Sequence, residues 1–498
     1  MSERDVVVIG AGLSGLSAGI YARLNGYPCL ILEQNSGPGG VAASWRRGEY
    51  LLDGGIHFLS GHRPEDATSV VFREMGVDLE GRVAEMNVYG RFLDENNGRR
   101  VDVTRDLDRL ARDLKGYAGE DLETIDLFFR GVRRFRGLDA GTIGLSRAPE
   151  QTTPLVKMRE LWAVRRAWAS FSGVYRRSMS DFARACRDPW LRRFLTGLFL
   201  PDVPVWFVSF LLALHADGGL GYLKHGSLDF VMSLEKRFRD LGGEVAYNAP
   251  VETVLVEGGR AAGVRLGDGS LHRSGAVISA ADGRETLFRM LGGRYLDKAA
   301  VGRYTGWKLV PSNLTVSFGL RREFPNEVPL TTISLMHPIS LNGVKIEDLL
   351  LRIFNYSSAF APKGRSVLQV WVEADFDFWQ SLREEDPSRY AAEKRRAADE
   401  ILKRLEKHYP GIGGQVEVGD VATPATFRRY TRNQRGAAMA WMPTPRFFRT
   451  SLRRTLKGLS HFFMAGQWVS GAGVIPCLYS GRQAAALLCR SDKKPFRV

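Results

Sequence analysis

A chain of 498 residues, 44% of them hydrophobic, can bury a large core and is expected to divide into two or three domains. Its four cysteines, Cys29, Cys186, Cys477 and Cys489, form neither a CxxC pair nor a zinc spacing, which argues against a disulfide framework or a metal centre and for reduced, buried thiols. The formal charge of +15 comes without any nucleic-acid module, so nucleic acid is not an expected partner and attraction to an anionic membrane surface is the better reading.

Only four residues precede the first strand, Asp5 to Gly10, so no signal peptide is expected and the cytoplasm is the expected compartment. Val6 to Ile9 is an apolar run too short for a helix and ended by glycine, which predicts a buried parallel strand. Gly10, Gly12 and Gly15 supply a GxGxxG spacing around Leu13 and Ser14, and Leu13 to Asn25 is helical in period, ending at Gly26. Pro28 to Leu32 is a second apolar strand, closed by Glu33 and Gln34. A lone glycine turn would be weak, but strand, turn, helix, strand and terminal acid make a complete βαβ dinucleotide unit. In that unit Gly10 permits the tight turn, Gly12 the approach of the pyrophosphate and Gly15 close helix packing, while Glu33 accepts from the ribose hydroxyls.

A second glycine cluster follows: Gly39, Gly40 and Val41, then Asp53, Gly54, Gly55 and Ile56. His57, just beyond it, is a candidate to face a bound ring or else a hydrogen-bonded structural histidine. After a strand-like stretch around 87–94, the acid-capped segment 104–135 is expected to be helical. Between Leu155 and Leu200 ten basic residues stand against three acidic ones, interleaved with Trp162, Trp168, Phe171 and Tyr175. Two readings stay open for this segment, a helix lying in a membrane interface and a core-facing helix with solvated arginines. The apolar run Val205 to Leu214 is about half of the roughly 20 residues a bilayer requires, so a buried helix, a tunnel wall or a shallow insertion is expected rather than a span.

From Gly219 a helix, alternating strands and the apolar strand Ala276 to Ala281 return the chain to the first sheet. Strands carrying Leu314, Val316 and Phe318, then Leu349 to Phe354 and Val367 to Val372, with a salt-bridge-spaced helix after Asp386, form a further sheet domain. From Val421 to Ser491 there is no acidic residue. The closing segment reads as a strand, Phe462 to Ala465, a loop through Gly466, Gln467 and Gly471 to Gly473, and a helix through Val474 and Ile475 that opens near Pro476.

The elements at Gly39–Gly40 and Asp53–Gly55 resemble those of FAD-dependent amine oxidases and phytoene desaturases. Together with "AGQWVSGAGVIPCLYSGRQAA" and "VATPATFRRYTRNQRGAA", they make nearly the whole chain similar to the phytoene desaturase, carotenoid isomerase and retinol saturase group of the amine oxidase-type flavoproteins. The resemblance implies an α/β fold, with a discontinuous Rossmann-like FAD-binding domain over 1–75, 219–300 and 455–498. It also implies a β-sheet substrate domain over 76–105 and 301–454, and a helical lid or membrane-contact subdomain over 106–218. FAD would lie along the two glycine clusters and the loop from Gly466 to Ile475, with adenine against the backbone of Val251. Tyr430, Arg428 and Trp441 are cavity candidates on family grounds. Three departures stand out: Val41 where many relatives carry an arginine near the phosphates, Gln467 for a frequent acid, and Ser470 with Ala472 in the ring loop.

The reaction implied is desaturation, saturation or isomerisation of a polyene or isoprenoid, with hydride transfer at flavin N5 and NADPH as a transient reductant at most. Alternatives are a tailoring enzyme that reduces or cyclises a polyene natural product of the polycyclic macrolactam type, a non-catalytic prenyl-binding protein of the same fold, and an amine oxidase.

Overall fold

The structure, a computed structural model, describes residues 6–138, 145, 147–163 and 165–498; Asp5, expected to open the first strand, lies outside them. Five parallel strands form the first sheet, in the order Glu244–Ala246, Cys29–Leu32, Val6–Ile9, Ala276–Ser279 and Phe462–Met464. Val6 stands opposite both Cys29 and Ala276, and all of Val6–Ile9 is buried, as its unbroken apolar run requires. Strands from three distant parts of the sequence thus share one sheet.

The two ends of the chain are pinned across this sheet by the helices Leu13–Leu24 and Val474–Ser491. Gly481 makes the contact close: a Cβ there would stand 2.5 Å from the Ser14 carbonyl oxygen and 2.6 Å from the Ala18 nitrogen. Ser17 Oγ donates to the Leu478 carbonyl at 2.6 Å and Ser14 Oγ to the Cys477 carbonyl at 2.9 Å.

A seven-stranded sheet forms the other half, in the order Val416–Ala422, Asn313–Leu320, Ser366–Glu373, Val344–Ile353, Leu330–Leu341, Val88–Asp94 and Arg100–Thr104. It is antiparallel except where Thr331 to Ser334 run parallel to Arg91 to Asp94. The helices Phe376–Glu385 and Pro387–Glu406 cover it, burying Trp379, Ala397, Ile401 and Leu405. Leu330–Leu341 escaped sequence reading because its alternation fails at Met336, His337 and Pro338, which are exposed where the register shifts between Ser334 and Ile339.

In the helical region one expectation is borne out in finer form and one is corrected. The segment 104–135 is two helices, Leu107–Tyr117 and Leu122–Phe135, broken around Gly119; Asp106 caps the first by accepting from the Asp108 and Arg109 amides. Residues 155–200 are not one amphipathic helix but several short pieces. Pro154–Ala163 buries nothing, whereas Pro189–Gly197 turns Trp190, Leu191, Phe194 and Leu195 into a core shared with Phe128, Phe129 and Phe135. The core-facing reading therefore holds for Pro189–Gly197, while Pro154–Ala163 is an exposed helix. Val205–Ala216 is a buried helix, and among the described residues no helix is long and apolar enough to cross a membrane.

Candidate functional site

A cavity of about 1630 Å³ lies between the two sheets, larger than the roughly 300–1,000 Å³ of an ordinary small-molecule site. Such a volume accommodates a dinucleotide together with a second molecule. Gly10, Gly12, Leu13, Ser14, Glu33, Gln34, Gly39, Gly40, Val41, Gly54, Gly55, Ile56, Val251, Gly466, Gln467, Gly473, Val474 and Ile475 all line it. Gly15 does not. It sits behind the turn, where a Cβ would come within 1.9 Å of the Gly10 carbonyl oxygen.

At one end the turn is held open by backbone alone. Gly10 has φ 95° and Gly39 φ 125°, a region side chains rarely adopt, and the Gly39 amide donates to the Ala11 carbonyl at 3.0 Å. The first turn of Leu13–Leu24 faces the cavity with no side-chain cap, leaving its amides and dipole for an anion. Glu33 Oε2 accepts from the Ala11 amide at 2.8 Å, and Oε1 from the Asn35 amide at 3.0 Å and Asn35 Nδ2 at 2.8 Å. Burial pushes this carboxyl up in pKa while those three hydrogen bonds hold it down. Each oxygen keeps further lone-pair capacity, which suits ribose hydroxyls.

Tyr430 belongs to this same end. It lines the cavity, is 48% exposed, and its carbonyl accepts from Gln34 Nε2 and Asn35 Nδ2, both at 2.8 Å, which places it beside Glu33. Arg428 is engaged by Glu285 at 2.6 Å. Asp282, which carries no sequence signal, joins the two halves: it accepts from the amides of Glu285 and Gln434, each at 2.8 Å, and burial pushes its carboxyl up to about 6.

At the other end Gly54 and Gly55 face the loop 466–475. A Cβ on Gly55 would stand 2.7 Å from Ser227 Oγ and 2.8 Å from Ala42 Cα; Ser227 Oγ also accepts from the Ile56 amide at 2.6 Å. Gly466, φ 99°, donates its amide to Ser480 Oγ at 2.9 Å, and the first turn of Val474–Ser491 points its amides into the cavity. Trp441 is buried among Tyr304, Trp307 and Trp468, with its Nε1 donating to the Trp468 carbonyl at 3.2 Å. It lines the cavity as a packed wall.

His57 lines the cavity with its Nδ1 free of any hydrogen bond and its ring 6.0 Å from that of Trp371. Burial and the nearby Arg352 charge push it down to about 3, so the imidazole is neutral at ordinary pH. Arg352, 3% exposed, lies 4.7 Å from the Phe354 ring centre and 4.8 Å from that of Trp371, and donates to Gln369 Oε1 at 3.1 Å. The one sequence signal for it was a charge inside the apolar strand around Leu349–Phe354. One stretch of the remaining wall is aromatic, with Tyr89, Phe92, Phe194, Phe199, Trp206, Phe207 and Phe210, and leucines such as Leu198, Leu211 and Leu214 continue it. Among the described residues no group of three His, Cys, Asp or Glu side chains could hold a metal ion.

These features fit a flavin dinucleotide: glycines where a Cβ would collide, helix amides for phosphate, an acid for ribose, and a second glycine loop for a ring. The model of the family described as flavin containing amine oxidoreductase matches residues 13–489. The chain is 25% identical over 519 residues to a chloroplastic prolycopene isomerase of Daucus carota, covering 99% of this chain and 82% of the relative. It is also 25% identical over 517 residues to a lycopene-forming phytoene desaturase of a Paracoccus species, covering 99% and 98%. Among solved structures, a cyclohexylamine oxidase from Brevibacterium oxydans superposes with a TM-score of 0.62 at 14% identity, over 99% of this chain and 100% of that one. A putrescine oxidase does so with 0.62 at 15% identity, over 98% and 99%.

Proposed function

The chain belongs to the flavin containing amine oxidoreductases, and from that premise we propose an FAD-dependent oxidoreductase that acts on the conjugated double bonds of an apolar polyene or isoprenoid. One observation carries the substrate reading: beyond the glycine cradle the cavity has an aromatic and aliphatic stretch of wall, from Tyr89 and Phe92 to Phe210 and Leu214, and it is large enough for a long molecule beside the cofactor. The names of the sequence relatives, a prolycopene isomerase and a phytoene desaturase, support the same class. The amine oxidases share the fold at 14–15% identity, which supports no substrate.

FAD, when bound, supplies the site where a hydride and its electron pair are taken up or given back. The chain's own residues do the rest. The amides at the start of Leu13–Leu24 would hold the pyrophosphate, Glu33 the ribose, and Gly55, Ile56 and Gln467 to Ile475 the ring. The N-terminus of Val474–Ser491 favours negative charge there by about 0.3–2 kcal/mol. Trp206, Phe207 and Phe210 exclude water. Neutral His57 offers one hydrogen bond at Nδ1 without bringing a charge near an apolar chain.

A second reading concerns location: contact with the surface of a membrane. Leu155 is 77% exposed and Met158 and Trp162 66%, on a helix that borders the cavity through Lys157. The deciding experiment incubates the yellow holoenzyme anaerobically with phytoene, lycopene isomers and retinol, with and without NADPH, and reads polyene products by chromatography and the flavin by absorbance. A changed polyene is expected, with bleaching by NADPH alone marking a reductase. Oxidation of putrescine or cyclohexylamine with every polyene untouched overturns the proposal.

A further inference from the structure

Arg454 is 5% exposed and lies where the chain approaches the last strand of the parallel sheet, its carbonyl accepting from the Met464 amide at 2.7 Å. It lines the cavity. Its guanidinium donates Nη1 to the Leu452 carbonyl, but its Nε is buried without a partner, and among the described residues no carboxylate comes within ion-pair distance of it. The carboxylate that acts on it from further off is that of Glu150. Glu150 Oε1 is occupied by the amides of Arg454 and Thr455 and by Thr455 Oγ1, at 2.6, 3.0 and 3.0 Å, and it holds the Arg454 backbone in place. Burial pushes the guanidinium down to about 10, still charged at any ordinary pH.

A buried cation whose donors are unmet is costly, and the cost falls when an anion completes it. The surroundings favour one. Arg147, Lys157 and Arg449 line the same cavity and are exposed, and they raise the local concentration of anions. Phe448 also lines the cavity and packs 4.8 Å from Trp206 and 5.4 Å from Phe207 in its aromatic part. Exposed basic residues, one buried guanidinium with an unmet donor and an aromatic stretch of wall, all in the same cavity, match a molecule with an acidic end and a long apolar body.

We propose that the substrate is amphipathic: a conjugated or isoprenoid chain ending in a carboxylate, which binds the guanidinium of Arg454 while the chain lies along Trp206 and Phe207. The guanidinium fork presents parallel N–H groups at the spacing of carboxylate oxygens, which a lysine cannot do. This inference rests on the polyene reading above and narrows it: hydrocarbons enter, but acids bind better.

The test measures binding of all-trans-retinoic acid, all-trans-retinol and palmitic acid to the holoenzyme, by perturbation of the flavin spectrum, in wild type, Arg454→Met and Arg454→Lys. Wild type is expected to prefer retinoic acid over retinol by about 10- to 100-fold. Arg454→Met loses that preference, Arg454→Lys keeps part of it, and all three hold the same FAD per chain. Equal binding of acid and alcohol by wild type overturns the proposal without any variant. So does an Arg454→Met protein that loses FAD while the acid preference survives, which would assign the guanidinium to the cofactor. Tight, equal binding of both retinoids leaves the polyene reading standing and removes the anchor. Acid preference with palmitic acid bound as well as retinoic acid does the reverse.

Discussion

The parallel-sheet half and the aromatic half enclose one cavity by opposite means. In the first, the critical contacts are made by absent side chains: Gly15 under the Gly10 carbonyl, Gly55 against Ala42 and Ser227, Gly481 against Ser14 and Ala18. In the second, contacts are made by large side chains meeting at ring distances, as Trp206 and Phe207 do with Phe448, or Phe135 with Phe171 at 5.3 Å. A wall of backbone cannot receive one more carbon, whereas a wall of rings can lose one and repack. The first half should therefore be intolerant of small additions, and the second should tune what it holds.

The sharpest break of that contrast is Gly481→Ala. Its methyl must push the last helix off Leu13–Leu24, and overpacking costs about 1–3 kcal/mol even where neighbours yield, which backbone atoms at 2.5 and 2.6 Å cannot readily do. We expect protein without flavin, or none that is soluble, measured as the ratio of flavin to protein absorbance. A yellow Gly481→Ala protein with unchanged melting temperature would mean the two ends are not pinned as described.

Two titrations sharpen the comparison, because the halves carry groups of opposite sign. Asp282 has its folded pKa raised from 3.8 to about 6, so its contribution is fully present below 3.8 and is lost as pH rises to 6, on the order of 3 kcal/mol. Asp282→Asn keeps only one of the two amide contacts and is less stable at pH 4, but the gap to wild type should shrink by about that amount at pH 7. His57 runs the other way. With its folded value lowered from 6.5 to about 3, it is neutral above 6.5 in both states, and stability is lost as pH falls below 6.5. His57→Phe should gain about 2 kcal/mol relative to wild type between pH 7 and pH 5 in denaturant melts. A wild-type flavin spectrum that titrates near pH 6.5 and loses this transition in His57→Phe would show the imidazole to be solvated.

The same contrast explains what could be read from sequence. Gly10 to Glu33 was legible because a backbone that must approach phosphate tolerates one residue type at fixed spacings, and spacing survives in one dimension. The loop from Gly466 to Ile475 was legible for the same reason. The rest of the site depends on side chains brought from remote strands. Asp282 acts only because Gln434 is beside it, Arg352 because Phe354 and Trp371 enclose it, and Arg454 because Leu452 and Glu150 leave its Nε unmet. Tyr430, named on family analogy, does line the cavity, and its carbonyl also ties Gln34 and Asn35 beside Glu33. The long basic segment 155–200 misled because composition averages over two pieces, one exposed and one folded into the helical core.

Truncating the aromatic wall should have a smaller effect than any of these. Trp206→Ala is expected to keep its flavin and to weaken binding of a long polyene by about tenfold, as the loss of one aromatic contact predicts. Loss of flavin from this variant would erase the distinction between the two halves.

The least disruptive change is also the one that bears on location. Leu155 and Met158 lie on a helix that buries no residue, so Leu155→Ser with Met158→Ser should leave stability within about 0.5 kcal/mol and the flavin content unaltered. Neither side chain packs on the core, hence any effect must come from something outside the chain. On the membrane reading that something is the acyl boundary of a bilayer, with Trp162 beside it and Arg165, 3.8 Å from the Trp162 ring centre, placed for lipid phosphates. The double variant should then sediment several-fold less with vesicles containing anionic lipid, and wild-type binding should fall as salt is raised. Undiminished sedimentation would remove this helix from the membrane. Because Lys157 on the same helix lines the cavity, the vesicle result also bears on how a substrate of the proposed class would arrive: from the bilayer if the protein docks by this face, and from solution or a carrier if it does not.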